Sequence, residues 1–354
     1  MTLRVVQWTT GNVGRKAVQG ILGHPELELV GCYAYGAEKV GRDVGELAGT
    51  SPLGMSATND VDALIALKPD CVSYNKLWPD VDELVKILEA GINVASTAAF
   101  ITGWGYGEAA RERLGGACEA GSSTLFGSGM NPGFANLLGL ISAGICERVD
   151  RIEVTESVDA TGYASAETQE SVGFGHPIAK PEVPQMVEDG SRVFGDGVEL
   201  MADALGVELD DLRCEVELAA ATEDMDLGFM TIREGCVAGV AASWVGESQG
   251  RRVIELRVVW KMGQHMEPDW PLEHGYLVRI EGDPDVRTKL EIRPPKNFVA
   301  KSALDWMGLG MTATSMPAVN AIPAVCAAAP GIKTYVDLPL ITARSYPPPP
   351  PAGR

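Results

Sequence analysis

Apolar positions in the first third of the chain come in short runs broken by glycine, proline or charge. Leu3-Arg4-Val5-Val6-Gln7-Trp8 has strand composition, and Ala17, Val18, Ile21 and Leu22 then repeat at helical spacing until Gly23 and Pro25 stop the run. The alternation continues. Residues 27–33 read as a strand, 61–67 as a helix, and 70–74 as a strand with the polar Asn75 at its tip. A helix over 80–90 places Val81, Leu84, Val85 and Leu88 on one face, and Gly91 closes it before the strand 92–96. A further helix over 108–120 leads to the strand 124–126 and the turn Gly127-Ser128-Gly129-Met130-Asn131-Pro132-Gly133. Repeated β-α units of this length predict a Rossmann-type parallel sheet with helices on both faces.

The pattern changes near residue 148. The stretches 151–158, 214–222, 229–245, 252–262 and 276–282 are rich in β-branched residues, and several alternate, as in Arg252-Val253-Ile254-Glu255-Leu256-Arg257-Val258-Val259-Trp260. Alternation of that kind predicts a mainly antiparallel sheet with one face covered, hence an α+β domain. The other face is either solvated or a contact between copies, and we expect a homodimer through this sheet. A helix pair is expected between Pro184 and Leu205. From Ala303 to Pro330 the chain turns helical and apolar again, with Pro317 set to kink that helix or to begin a new one. The tail 346–354 holds five consecutive prolines and is expected to be extended or disordered.

The stretch joining the first strand to the first helix, Thr9-Thr10-Gly11-Asn12-Val13-Gly14, carries the chemistry. In the form G-x-G-x-x-G, Thr9 takes the first glycine position, Gly11 the second and Gly14 the third. Gly11 then lets a phosphate approach the backbone, and Gly14 lets helix pack on strand. Strand, glycine turn and helix together offer backbone N–H groups and a positive helix end to a dinucleotide pyrophosphate. After the second strand, an acid for the ribose is expected about 20 residues beyond the glycines. Here Tyr35-Gly36-Ala37-Glu38-Lys39-Val40-Gly41-Arg42 places no acid at the strand tip but two cations close behind it. That charge pattern favours NADP over NAD, although Lys39 and Arg42 paired with Glu38 and Asp43 would explain it as well. Asn75, then Ser96 and Thr97, then Asn131 fall at the carboxyl ends of later strands, where open parallel sheets bind ligands. The cofactor-binding set is therefore Thr9, Thr10, Gly11, Asn12, Val13, Gly14, Tyr35, Lys39, Asn75, Ser96, Thr97 and Asn131. The chain divides into a dinucleotide-binding domain (1–133), an α+β substrate domain (134–300) and a helical segment (301–345) expected to pack back on the first domain.

Composition narrows the partners. A net charge of −19 over 354 residues argues against nucleic acid and anionic membranes, which select basic patches. The seven cysteines stand singly and there are only four histidines, so no metal-ligand spacing arises. No run of about 18 uninterrupted apolar residues suits a membrane span. No signal peptide is expected either, since Trp8-Thr9-Thr10-Gly11 breaks the first apolar run. A soluble cytoplasmic protein is the reading these features favour.

Thr10-Gly11-Asn12-Val13-Gly14-Arg15, Ser96-Thr97 and Gly129-Met130-Asn131-Pro132-Gly133-Phe134 together resemble the dihydrodipicolinate reductase N-terminal-domain family. Lys39-Val40-Gly41-Arg42-Asp43-Val44-Gly45-Glu46-Leu47 and the late runs Ala318 to Pro323 and Ala329 to Thr334 resemble its branch of 2,4-diaminopentanoate dehydrogenase and native amine dehydrogenases. The resemblance covers nearly the whole chain. It implies an NAD(P)-dependent oxidoreductase that transfers hydride to or from a small carbonyl, imine or amine, with the second domain closing over the substrate. Two family features differ. Dihydrodipicolinate reductases carry a histidine pair followed by lysine, where His176 stands alone before Lys180. The amine dehydrogenases place a catalytic glutamate just after the strand that ends here at Thr97, where this chain reads Ala98-Ala99-Phe100-Ile101. Proton transfer must then come from elsewhere, with His176, Tyr163 and Glu108 as candidates. Each also has a plain structural explanation, Glu108 as a helix-starting acid above all. A dinucleotide-binding sensor without turnover is the alternative reading.

Overall fold

A computed structural model describes residues 2–300 and 303–344; the proline tail expected over 346–354 lies outside the described residues. The strands are β1 (Leu3–Trp8), β2 (Leu27–Tyr33), β3 (Cys71–Tyr74), β4 (Asn93–Ser96), β5 (Thr124–Gly127), β6 (Arg148–Asp159), β7 (Asp211–Ala221) and β8 (Met225–Asp226). They continue with β9 (Thr231–Ile232), β10 (Val237–Ser248), β11 (Arg251–Lys261), β12 (Met266–Glu267), β13 (Gly275–Asp283), β14 (Val286–Leu290) and β15 (Gly331–Lys333). The helices are α1 (Asn12–Gly23), α2 (Val44–Ala48), α3 (Val61–Ala66), α4 (Val81–Glu89), α5 (Glu108–Gly121), α6 (Ala135–Ala143), α7 (Ala166–Ser171), α8 (Val183–Gly190), α9 (Val193–Leu205) and α10 (Ala303–Ala327).

The chain forms two compact units, each discontinuous in sequence. The first takes residues up to Phe100, Ala109–Gly129 and the chain from Met311 onward. Its sheet is wholly parallel, in the order β15-β5-β4-β3-β1-β2. All four residues of β3 are buried, as are Val5 to Trp8 of β1, which is why these strands read as continuous apolar runs. From α1, Gly14, Ala17, Val18 and Ile21 turn inward. Ala318, Val319 and Ile322 of α10 share a core with Val5, Ala17 and Ile21. Helix α10 runs through Pro317 and Pro323 as one element, so a new helix beginning at Pro317 is corrected to a continuous one.

The second unit takes Ile101–Glu108 and Met130–Gly310. Its sheet runs β12-β7-β10-β11-β6-β13-β14, antiparallel except where β11 and β6 lie parallel. One face is covered: Ile152, Val154, Val240, Ala242, Leu256, Val258, Val278 and Ile280 join Ala135 of α6 and Phe194, Val198 and Met201 of α9 in one core. The other face alternates charge. Arg151 bridges Glu153, Glu255 and Glu281, and Arg279 bridges Glu153 and Glu273. The expected single strand over 229–245 is two. Gly235, with φ of 77°, turns the chain between β9 and β10, a left-handed conformation that suits glycine. Among the described residues no helix is long and apolar enough to cross a membrane.

Candidate functional site

The first unit gathers a polar rim where its strands end. Gln7 is fully buried in β1, and its Nε2 donates to Thr9 O at 2.9 Å and to Asn75 Oδ1 at 2.7 Å. Asn75 Nδ2 donates to Thr97 Oγ1 at 2.8 Å, and Thr9 Oγ1 donates to Asn75 O at 2.9 Å. The tips of β1, β3 and β4 are thus tied by side chains. Thr9 holds φ at 76°, the left-handed turn that a glycine would adopt more cheaply, and its hydroxyl bond helps keep it there. A Cβ on Gly14 would lie 2.4 Å from Thr9 O, so only glycine lets α1 begin this close to β1. Around Gly11, by contrast, an added Cβ would meet nothing within 4 Å.

Helix α1 starts at Asn12 with Gly11 as its N-cap, no side-chain cap and no acid in its first turn. The positive end of its dipole therefore lies beside Gly11 with no side-chain cap and no acid in the first turn to oppose it. Thr10 is 5% exposed, and its Oγ1 is buried with no hydrogen-bond partner. These are the properties of an anion cradle, and a dinucleotide pyrophosphate fits them. Beyond β2, Tyr35 is 78% exposed. Asp43 accepts N–H groups from Leu53, Glu46, Gly54 and Gly45, which hold its carboxyl below the usual carboxylate range. Its charge is committed to that turn, and Lys39 and Arg42 form no ion pair among the described residues. Ser96, 1% exposed, accepts the Ala98 N–H on its Oγ at 3.0 Å.

The second unit holds a separate polar cluster. Asn131 Nδ2 donates to Glu156 Oε2 at 2.9 Å, and Trp260 Nε1 donates to Glu156 Oε1 at 3.0 Å. Tyr276 is the register partner of Glu156 on β13. Asn131 Oδ1 is buried and has no partner. Burial pushes the Glu156 carboxyl above its ordinary value, against the pull of its two donors, although the side chain keeps some exposed surface. The charge of Glu156 in turn joins burial in pushing the Tyr276 hydroxyl well up. Asn131, expected at the cofactor, is committed to this carboxylate through its amide nitrogen.

A second buried acid has a different environment. Asp196 of α9, fully buried, accepts from the N–H groups of Ile101, Thr102, Gly103 and Gly105 at 2.7–3.0 Å. Burial pushes its carboxyl up and the four N–H donors oppose that. The carboxylate fixes the loop over residues 101–105, and Trp104 of that loop packs edge-on against Trp244. The three proton-transfer candidates stand on different segments. Glu108 is exposed at the first position of α5. Tyr163 follows a short turn after β6, and burial pushes its hydroxyl up. His176 sits in a loop whose backbone pairs with Val237. Reading the sequence missed Glu156, yet a signal was present: it shares strand parity with Ile152, Val154 and Val158, and so falls on the core side of β6.

The depression on the charged face of the second sheet, ≈ 270 Å³, is lined by Glu153, Glu255, Arg257, Glu273 and Arg279 among others, on the face opposite Glu156. Among the described residues no group of three or more His, Cys, Asp or Glu is placed to hold a metal ion.

Comparison with known proteins agrees with this architecture. An amine dehydrogenase of Streptomyces virginiae is 29% identical over 358 residues, covering 96% of both chains. The 2,4-diaminopentanoate dehydrogenase of Acetoanaerobium sticklandii is 28% identical, over 73% of this chain and 70% of its own. The solved structure of an amine dehydrogenase from Mycobacterium smegmatis shares the fold with a TM-score of 0.81 at 19% identity, over 98% of each chain. Residues 135–346 match the family described as 2,4-diaminopentanoate dehydrogenase C-terminal domain, and the chain is an oxidoreductase belonging to that family.

Proposed function

We propose that the protein uses NADP, in preference to NAD, to move hydride to or from a small carbonyl, imine or amine. The observation that carries this reading is the uncapped start of α1 over Gly11, with open space at the glycine and an unsatisfied Thr10 hydroxyl beside it. The N–H groups of Val13 and Gly14 would hold the pyrophosphate, with Thr9, Thr10 and Asn12 shaping the turn. Lys39 and Arg42 would take a 2′-phosphate, since Asp43 is already occupied by backbone donors. Tyr35 would flank the adenosine, and Asn75, Ser96 and Thr97 would line the nicotinamide end. When bound, the cofactor supplies the hydride; the chain must orient the substrate and manage its proton. The full-length likeness to an amine dehydrogenase supports ammonia and small ketones as the first substrates to try.

NADPH should raise the melting temperature and bind more tightly than NADH. If neither shifts it at millimolar concentration, the proposal fails. The absence of an acid over 98–101 favours a second reading, a dinucleotide-binding sensor. Cofactor binding with no turnover across a panel of ketones, imines and amines would select the sensor. We further propose a homodimer through the charged face of the second sheet, where Thr155, Ser157, Ser243 and Glu255 are already buried among paired arginines. Sedimentation at one chain mass would refute it. A cytoplasmic location accords with cysteines that are all free, and cell fractionation tests it.

A further inference from the structure

The reaction proposed above needs a group that can carry a proton to the substrate, and the buried acids differ in their capacity to do so. Asp196 is 0% exposed and takes three backbone N–H groups on Oδ2 and one on Oδ1, an arrangement that holds a loop. Glu156 receives one side-chain donor on each oxygen, which orients the carboxyl and leaves further acceptor positions free. Beside it the Asn131 Oδ1 is buried without a donor, so two acceptors in one cluster await N–H or O–H groups. Trp260 donates to Glu156, and Tyr276 stands opposite it on β13.

Resting on the oxidoreductase reading above, we propose that Glu156 is the proton-exchanging carboxyl for a nitrogen-bearing substrate, with Asn131 positioning it. A carbonyl and ammonia add to give a carbinolamine. Glu156 then gives its proton to the carbinolamine hydroxyl, the C–O bond breaks, and water leaves. The nitrogen lone pair forms the C=N bond of the iminium, and the negative carboxylate left behind pairs with that positive charge. In the reverse direction the carboxylate takes a proton from the attacking water. Burial shifts the carboxyl upward from its ordinary value, the direction that suits a general acid. The groups facing it are Asn131 from the 130–134 turn, Trp260 from β11 and Tyr276 from β13; Tyr276 is the titratable one, and no cation contributes among the described residues.

The test uses the full chain and compares wild type with Glu156→Gln and Trp260→Phe. NADPH binding, melting temperature and ammonia-dependent NADPH consumption with small ketones are measured across pH. Glu156→Gln should keep NADPH affinity within about twofold and lose at least about a hundredfold in kcat, the range of general acid catalysis. Trp260→Phe removes a donor to the charged form, so the carboxyl titrates higher and the alkaline limb of the activity profile should move to higher pH. Glu156→Gln with turnover near wild type, or loss of NADPH binding along with activity, would overturn the assignment. An unmoved alkaline limb in Trp260→Phe would also count against it. Wild type that binds no dinucleotide defeats the oxidoreductase reading instead, which keeps the two failures apart.

Discussion

Gly11 and Gly14 lie three residues apart in one turn, and the structure assigns them opposite sensitivities. Gly14→Ala places a Cβ 2.4 Å from Thr9 O, where ordinary contacts begin near 3.4 Å, and the obstacle is backbone that cannot swing away. Overpacking of that kind costs about 1–3 kcal/mol, and the roughly 0.5–1 kcal/mol that alanine gains over glycine inside a helix offsets only part of it. The net loss is about 1–2 kcal/mol, a fall of several degrees in Tm for a chain of this size. Gly11→Ala meets nothing within 4 Å, and its φ of −71° is open to any residue. Its stability should change by less than about 1 kcal/mol, the scale of an N-cap exchange. Its methyl group would occupy the approach to the helix N–H groups, and NADPH affinity should fall at least about tenfold, or about 1.4 kcal/mol. Thermal unfolding with and without NADPH, backed by calorimetric titration, reads both quantities on each variant. A Gly11→Ala protein that binds NADPH as tightly as wild type would refute the placement of the phosphate.

Lys39→Ala with Arg42→Ala should weaken NADPH binding about tenfold while leaving NADH within about twofold, and added salt should narrow the gap between the cofactors; equal loss of both by titration contradicts the 2′-phosphate assignment. Asp196→Asn removes the charge that four N–H groups share and should cost about 2–4 kcal/mol by denaturant unfolding, with the loop over 101–105 losing protection in hydrogen exchange. A carboxyl raised by folding, as Glu156 is, stabilises the fold fully below its unfolded pKa and loses that contribution as pH rises through the folded value. Glu156→Gln should therefore gain Tm relative to wild type from acid toward alkaline buffer; a difference constant with pH would show that the carboxyl does not titrate in this range.

The parallel sheet was legible because burial on both faces leaves β1, β3 and β4 as apolar runs between glycines and acids that cap helices, such as Asp60 and Asp80. β15 escaped notice because three residues, Gly331-Ile332-Lys333, carry no period; only their register beside Thr124–Phe126 makes them a strand. β14 is exposed on alternate positions and reads Val286-Arg287-Thr288-Lys289-Leu290, as polar as a loop. The glycine turn was visible as spacing, but the replacement of its first glycine by Thr9 became intelligible only with the bonds from Gln7 and to Asn75, which lies 66 residues away along the chain. Glu156 was hidden for a related reason. One polar residue at a core-parity position is a weak signal in a strand that also holds Glu153 and Thr155, and its partners Asn131 and Trp260 come from distant segments. Long-range hydrogen bonds leave no local pattern to read.

The chain of bonds from Gln7 through Asn75 to Thr97 also bears on the entropy of recognition. A long amide side chain that becomes ordered only when a ligand arrives subtracts about 0.5–1.5 kcal/mol from binding. Gln7 and Asn75 are buried and immobilised when the sheet forms, so their freedom is already lost before any ligand approaches. The rim at the ends of β1, β3 and β4 is preorganised, and substitutions inside it, such as Gln7→Leu, should weaken binding by loosening the free protein without removing a single ligand contact.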